Sequence, residues 1–116
     1  MVEQIKLRTK AVGISCIRLC SEIKETQVGK TISNQLLRSS TSIGANYRSA
    51  ARAKSTADYI NKLKIVEEEA DETMYWLEIL EECGLIEGRK TIELRKELNE
   101  IISIIVATIK KLRAKI

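Results

Sequence analysis

Histidine, phenylalanine and proline are missing from this 116-residue chain, and aromatic residues make up only 3% of it. Without imidazole there is no ordinary general base, no commonest metal ligand and no Ser-His or Cys-His nucleophile pair. Carboxylate di-iron bundles, which need a Glu-x-x-His pair on two helices, are excluded on the same ground. One Trp and three Tyr leave little to stack bases against, which argues against recognition of single strands on aromatic platforms. Cys16, Cys20 and Cys83 are odd in number and lack framework spacing, so a disulfide scaffold is not expected and a reducing compartment is. Cys16 and Cys20 fall one helical turn apart, but a closed zinc site needs four ligands and only Cys83 is left to join them; core filler is the better reading. No apolar run approaches the ~20 residues of a spanning helix, and the N-terminus carries no signal-peptide stretch. The expectation is a cytosolic protein with no membrane partner, no cofactor, no small-molecule substrate and no enzymatic activity.

What is present is the composition of helices. Apolar residues make up 44% of the chain, glycines number five, and the length suits one domain, 1–116, with one core. Ile5, Val12, Cys16, Leu19 and Ile23 recur at helical steps and predict a first helix over about 2–25, ended by the stretch 26–29 with Gly29 as its left-handed terminator. A second helix is expected from residue 31 or 33 to about 53. Its inner face, Ile32, Leu36, Ser39, Ser40, Ile43, Asn46, Tyr47 and Ala50, is rich in small and polar groups, so Ser39 and Asn46 need hydrogen-bond partners inside the bundle. Gly44 within it reads as a point of close helix contact. Ser55 is a candidate N-cap with Asp58 in the first turn, and Gly84 a terminator, for a third helix whose core face runs Tyr59, Leu63, Val66, Ala70, Thr73, Met74, Leu77 and Leu80. A fourth spans about 91–115 with Leu94, Leu98, Ile101, Ile105, Ile109, Leu112 and Ile116 inward. Short connections between such helices predict an all-α, up-down antiparallel four-helix bundle.

Charge is distributed unevenly over these segments. Residues 1–29 carry a net +2, 30–54 carry +5 with no acid, 55–86 carry −7 and 87–116 carry +4. On a helical wheel Arg38, Arg48 and Arg52 share one acid-free side of the second helix, opposite Leu36, Ile43 and Tyr47. Two readings stay open: contact with an RNA or DNA backbone, for which Arg is well suited, or docking onto the acidic third helix. Lys110, Lys111, Arg113 and Lys115 form a basic last turn on the fourth helix; the first three join the candidate nucleic-acid contacts. Glu68 and Glu72 stand at i,i+4 and offer carboxylates to Mg²⁺ or Ca²⁺, although acids around a helix ordinarily form a solvated face.

Apolar residues also lie outside the core stripes. Leu7, Ile14 and Ile17 on the first helix and Ile65, Trp76 and Ile79 on the third cannot all face one core, so they are candidates for an interface between copies, with Trp76 as the anchor.

The run LRSSTSIGANYR over 37–48, then Ser55, Tyr59, Ile60, Lys62 and Leu63, then EEEADETMYWLEIL over 67–80, resembles the bacterial four-helix bundle family that includes proteins encoded in intervening sequences of large-subunit ribosomal RNA genes. The resemblance spans essentially the whole chain and implies a homopentameric ring of up-down bundles, a link to RNA and no known catalysis. The family is also similar in fold to the accessory variability determinant protein of diversity-generating retroelements, which implies a reverse transcriptase as an alternative partner. Where relatives often carry a Glu after the Asn-Tyr pair, this chain has Ser49, Ala50, Ala51, Arg52 and Ala53, which makes the outer face of the second helix more basic.

Overall fold

The computed structural model describes all of residues 1–116 and contains four helices and no strand: α1 (Val2–Leu19), α2 (Gln27–Ala50), α3 (Thr56–Glu82) and α4 (Ile92–Ala114). Single 3-10 turns follow α1 at Cys20–Glu22 and precede α4 at Gly88–Lys90. Each helix packs on the next, and α4 closes back on α1, giving an up-down bundle of 48 × 20 × 20 Å. The α4–α1 seam is the thinnest of the four and is clamped by Arg8, whose guanidinium donates to Glu97 through Nε at 2.8 Å and Nη2 at 2.6 Å.

The apolar stripes meet in one core. Ile5, Val12 and Cys16 of α1, Leu36, Ile43 and Tyr47 of α2, Leu63, Val66, Leu77 and Leu80 of α3 and Leu98, Ile101, Ile105 and Ile109 of α4 are all buried. Within it Thr73 donates to the Ser39 hydroxyl at 2.9 Å across α2 and α3, and Ser39 to the Leu36 carbonyl at 3.3 Å. The half-buried Asn46 donates to the Ser42 carbonyl of its own helix at 2.8 Å. Every buried side-chain nitrogen and oxygen has a partner, which is why a face this polar can be packed at all.

Both ends of α3 follow local chemistry. Ser55 Oγ caps the helix by accepting from the Asp58 amide at 3.1 Å, and the Asp58 carboxylate accepts from the amide of Lys54, the residue before the cap, at 3.1 Å. At the other end Gly84 has φ +69°, and the Leu85 amide reaches back to the Leu80 carbonyl at 2.9 Å while that of Gly84 reaches Glu81 at 3.0 Å. This is the Schellman closure that only a residue tolerant of the left-handed region makes cheaply.

The start of the chain differs from expectation. α1 stops at Leu19, the 3-10 turn follows, and Ile23 is extended and buried. Thr26 does not end the first helix but caps the second: its Oγ1 accepts from the Gly29 amide at 2.9 Å. Gly29 is therefore a buried residue in the first turn of α2, and it does not terminate α1. The short polar side chain of Thr26 competes for the free amides of a helix start, a signal that outweighs the glycine three residues on. Five core assignments also shift, with Leu94 and Leu112 only partly buried on α4. Ile60 is buried where Tyr59 and Met74 are only partly so, and Ile116, expected inside, is 77% exposed beyond the end of α4.

A candidate nucleic-acid interface at one end of the bundle

In an up-down bundle the start of α1, the end of α2, the start of α3 and the end of α4 share one end. Here that end, residues 1–8, 44–64 and 106–116, holds eleven lysines and arginines against two carboxylates, Glu3 and Asp58. Neither acid is free. Glu3 pairs with Lys6 at 3.4 Å, and Asp58 is held below the usual carboxylate range by the Lys54 amide first and by Lys62, 3.2 Å away, second. The opposite end, residues 16–33 and 74–96, is balanced, with seven basic groups and seven acids, and Glu97 and Glu100 lie between the two, where both pair with Arg8. The bundle is thus polarised along its long axis, although its net charge is only +4.

Seven of the eleven basic side chains at the positive end are exposed and make no ion pair: Arg48, Arg52, Lys54, Lys110, Lys111, Arg113 and Lys115. They do not form one stripe. Arg48 borders the α1–α2 groove, whereas Lys110 and Arg113 border the seam between α3 and α4, near the Lys64–Glu67 pair. Because α2 and α4 are not packed neighbours, the cations surround the end of the rod. Arg38 sits apart from them. It reaches α3, where it pairs with Glu69 at 3.2 Å and with Glu72. Glu72 is held below its usual value by the Trp76 indole N–H, a 3.1 Å hydrogen bond, and then by Arg38. The wheel groups the three arginines over about 80° of arc, but α2 ends at Ala50 and not near residue 53, so Arg52 lies in the turn beyond the helix, and Arg38, at the edge of the arc nearest the acidic helix, is already engaged. Lys54 stands out only in the folded chain, although antiparallel connection alone returns the 51–55 turn to the level of both chain termini.

The outer apolar residues divide as well. Leu7, Ile14 and Ile17 are 68%, 40% and 53% exposed, and Ile65 is 42% exposed. Trp76 and Ile79 instead are partly buried against the core, and the exposed aromatic is Tyr75, packed edge-on to Trp76 with centroids 5.1 Å apart. Contact with both α2 and α4 widens the inward arc of α3 and takes in positions that a narrower stripe would leave outside. No three Cys, Asp or Glu side chains converge to hold a metal; Glu72 is occupied as described and Glu68 is exposed. The three cysteines are unpaired: Cys16 buried, Cys20 half-buried, Cys83 exposed. No helix is long and apolar enough to cross a membrane.

These features define a class, the small all-α bundle with axially polarised charge. The chain belongs to the 23S rRNA-intervening sequence protein family, which matches it over residues 4–107. It is also similar to a crystal structure of a protein of unknown function from the S23 ribosomal protein family of Bacteroides thetaiotaomicron, with 37% identity and a TM-score of 0.84 over 91% of this chain and 98% of that one. No curated protein matches the chain. The family is not a known class of enzyme.

Proposed function

We propose that this chain is a non-enzymatic, oligomeric protein of the bacterial cytoplasm that holds RNA by its phosphate backbone on the positive end of the bundle. The observation that carries the reading is the set of seven exposed, unpaired basic side chains at that end, where both carboxylates present are already paired. Arg52, Lys110, Lys111 and Arg113 are its principal contacts, with Arg48 beside them; Arg38 is left out because Glu69 and Glu72 hold it. Membership of a family named for an intervening sequence of ribosomal RNA supports RNA as the polyanion. With four aromatic residues in all, recognition rests on phosphates and shape and not on stacked bases.

The test is the salt dependence of binding. The logarithm of affinity for a structured ribosomal RNA fragment should fall linearly with the logarithm of salt concentration, and the triple variant Arg52→Ala, Lys110→Ala, Arg113→Ala should flatten the slope by roughly 0.7–0.9 for each phosphate it no longer neutralises. Binding that is absent, or indifferent to salt, removes the proposal. The exposed Leu7, Ile14 and Ile17 favour a second reading, a module that docks onto a protein such as a reverse transcriptase; capture from lysate that survives nuclease treatment would select it.

A further inference from the structure

α1 and α2 approach closely because glycines line their contact. A Cβ on Gly44 would lie 3.3 Å from the backbone of Lys10, tighter than side chains ordinarily pack, while one on Gly13 would just touch the Ser40 carbonyl oxygen at 3.4 Å. Their outer flank is a groove of about 270 Å³ with Ile14 and Ile17 along one wall, Lys6, Lys10 and Arg48 at its margins, and no carboxylate among its lining residues. Leu7, two turns before Ile14, extends the apolar strip along α1. Lys10 and Arg48 make no ion pair within the chain; Lys6 makes only the exposed one with Glu3.

The outer face of α3 is the counterpart. Ile65, Glu68, Asp71, Tyr75, Glu78 and Glu82 follow one another at steps of three and four and so form one continuous stripe. All six are exposed, and none of the four carboxylates has an ion-pair partner. Acids elsewhere on α3, Asp58, Glu67, Glu69, Glu72 and Glu81, are all paired within the chain. The unpaired acids and the unpaired cations therefore lie on different corners of one molecule, each flanking exposed apolar side chains.

We infer that the acidic ridge of α3 in one copy seats in the α1–α2 groove of a second copy. Opposite charges meet around two apolar strips, Ile65 and Tyr75 against Ile14 and Ile17, which is how charge complementarity fixes register while apolar burial holds the contact. The apolar strips agree in length: Leu7 to Ile17 and Ile65 to Tyr75 each span about 15 Å at 1.5 Å per residue. Ridge and groove are different faces, so the contact is heterologous. Each copy gives its ridge to one neighbour and its groove to another, and the assembly stops growing only by closing into a ring. This inference rests on the oligomeric part of the proposed function and names the surfaces that build it.

Light scattering after size exclusion, on nuclease-treated protein, tests it. The native chain should run at a multiple of 13.1 kDa. Lys10→Glu with Arg48→Glu should give single chains of unchanged helicity, and so should Ile65→Ser with Tyr75→Ser. An equimolar mixture of those two variants retains one intact groove and one intact ridge and should form a two-chain species and nothing larger. Lys10→Glu and Arg48→Glu combined with Glu68→Lys and Asp71→Lys in one chain should regain the native mass. A native protein of single-chain mass overturns both the oligomeric reading and this one. A native oligomer whose mass both double variants retain overturns the assigned surfaces alone, and a mixture as large as the native assembly overturns the heterologous arrangement.

Discussion

Replacing Gly29 by Ala should destabilise the fold by about 2–4 kcal/mol, although alanine is the better helix former by ~1 kcal/mol. Gly29 lies in the first turn of α2, and a Cβ there would stand 2.3 Å from the Lys24 carbonyl oxygen, 3.1 Å from Thr26 Oγ1 and 3.4 Å from Ile23 Cγ2. Carbon–oxygen contacts settle at about 3.3 Å or more, so roughly 1 Å of room must be found. The carbonyl is backbone and cannot swing aside: the Lys24 amide donates to Leu85 at 3.2 Å, and the Thr26 amide donates to the Lys24 carbonyl itself at 3.0 Å. Moving that turn loosens the Thr26 cap and the Lys24–Leu85 bond, each worth ~1 kcal/mol, in addition to the ~1–3 kcal/mol of an overpacked site. Subtracting the gain in propensity leaves the stated loss. Gly13→Ala is the internal control. Its Cβ would meet Ser40 at 3.4 Å and Thr41 at 3.5 Å, ordinary contacts, so clash and propensity should offset to within about 1 kcal/mol. Thermal unfolding followed by far-UV circular dichroism reads the difference, with each kcal/mol worth roughly 3–6 °C in a domain of this size. Protein concentration must be held fixed, because the proposed assembly would couple to apparent stability. A Gly29→Ala protein that melts at or above the native temperature, or a Gly13→Ala protein that loses as much, would refute the steric argument.

Arg8 clamps the thinnest seam, and Glu97→Gln should cost about 1 kcal/mol at neutral pH, a partly exposed bidentate pair being worth little more. Arg8 holds the Glu97 carboxyl below its usual value of 4.5, so this stabilisation is complete above pH 4.5 and is lost as the pH falls through the lowered native value; urea midpoints of the two proteins should converge in acid. Thiol labelling should distinguish the cysteines: Cys83 is exposed and should react at once, whereas burial pushes Cys16 up to about 11 and its labelling should wait on unfolding. Equal rates would place Cys16 at the surface. In the α2–α3 core, Ser39→Ala and Thr73→Val should each cost ~1–2 kcal/mol, with a coupling of ~1 kcal/mol in the double-mutant cycle; additive losses would mean that the two hydroxyls do not bond.

The four helices and the bundle were legible because period-3.6 stripes and capping signals agreed: Ser55 and Gly84 do what their chemistry suggests. The α1–α2 turn departs from expectation because a glycine follows the last apolar position of the first stripe. Thr26, an N-cap, precedes that glycine, and its competing signal decides the outcome. Trp76 was expected outside because a wheel drawn for one helix cannot show that α3 touches two neighbours. The basic end was partly visible as an arginine stripe and a basic last turn. That α2 and α4 deliver those cations to the same level is a property of topology, and the engagement of Arg38 by Glu69 and Glu72 depends on which side of the stripe faces α3.

Assembly and RNA binding should then be coupled through geometry. A ring generated by rotation keeps every copy in one orientation relative to its axis, so all the positive ends point to the same side. In the proposed ring each copy would bring Arg52, Lys54, Lys110, Lys111, Arg113 and Lys115 to that rim, Arg48 being taken up by the α1–α2 groove, and an RNA long enough to reach several copies would bind them with the gain of multivalency, which spans ~10²–10⁴ where the sites can be engaged together. Ile65→Ser with Tyr75→Ser alters no charge and touches no basic residue. Its effect on RNA therefore isolates assembly from electrostatics: affinity for a long structured RNA should fall by at least about tenfold, whereas affinity for a fragment short enough to reach one copy should not change. Equal loss on both RNAs would show that the α3 ridge itself contacts RNA, and no loss on either would show that single copies act alone.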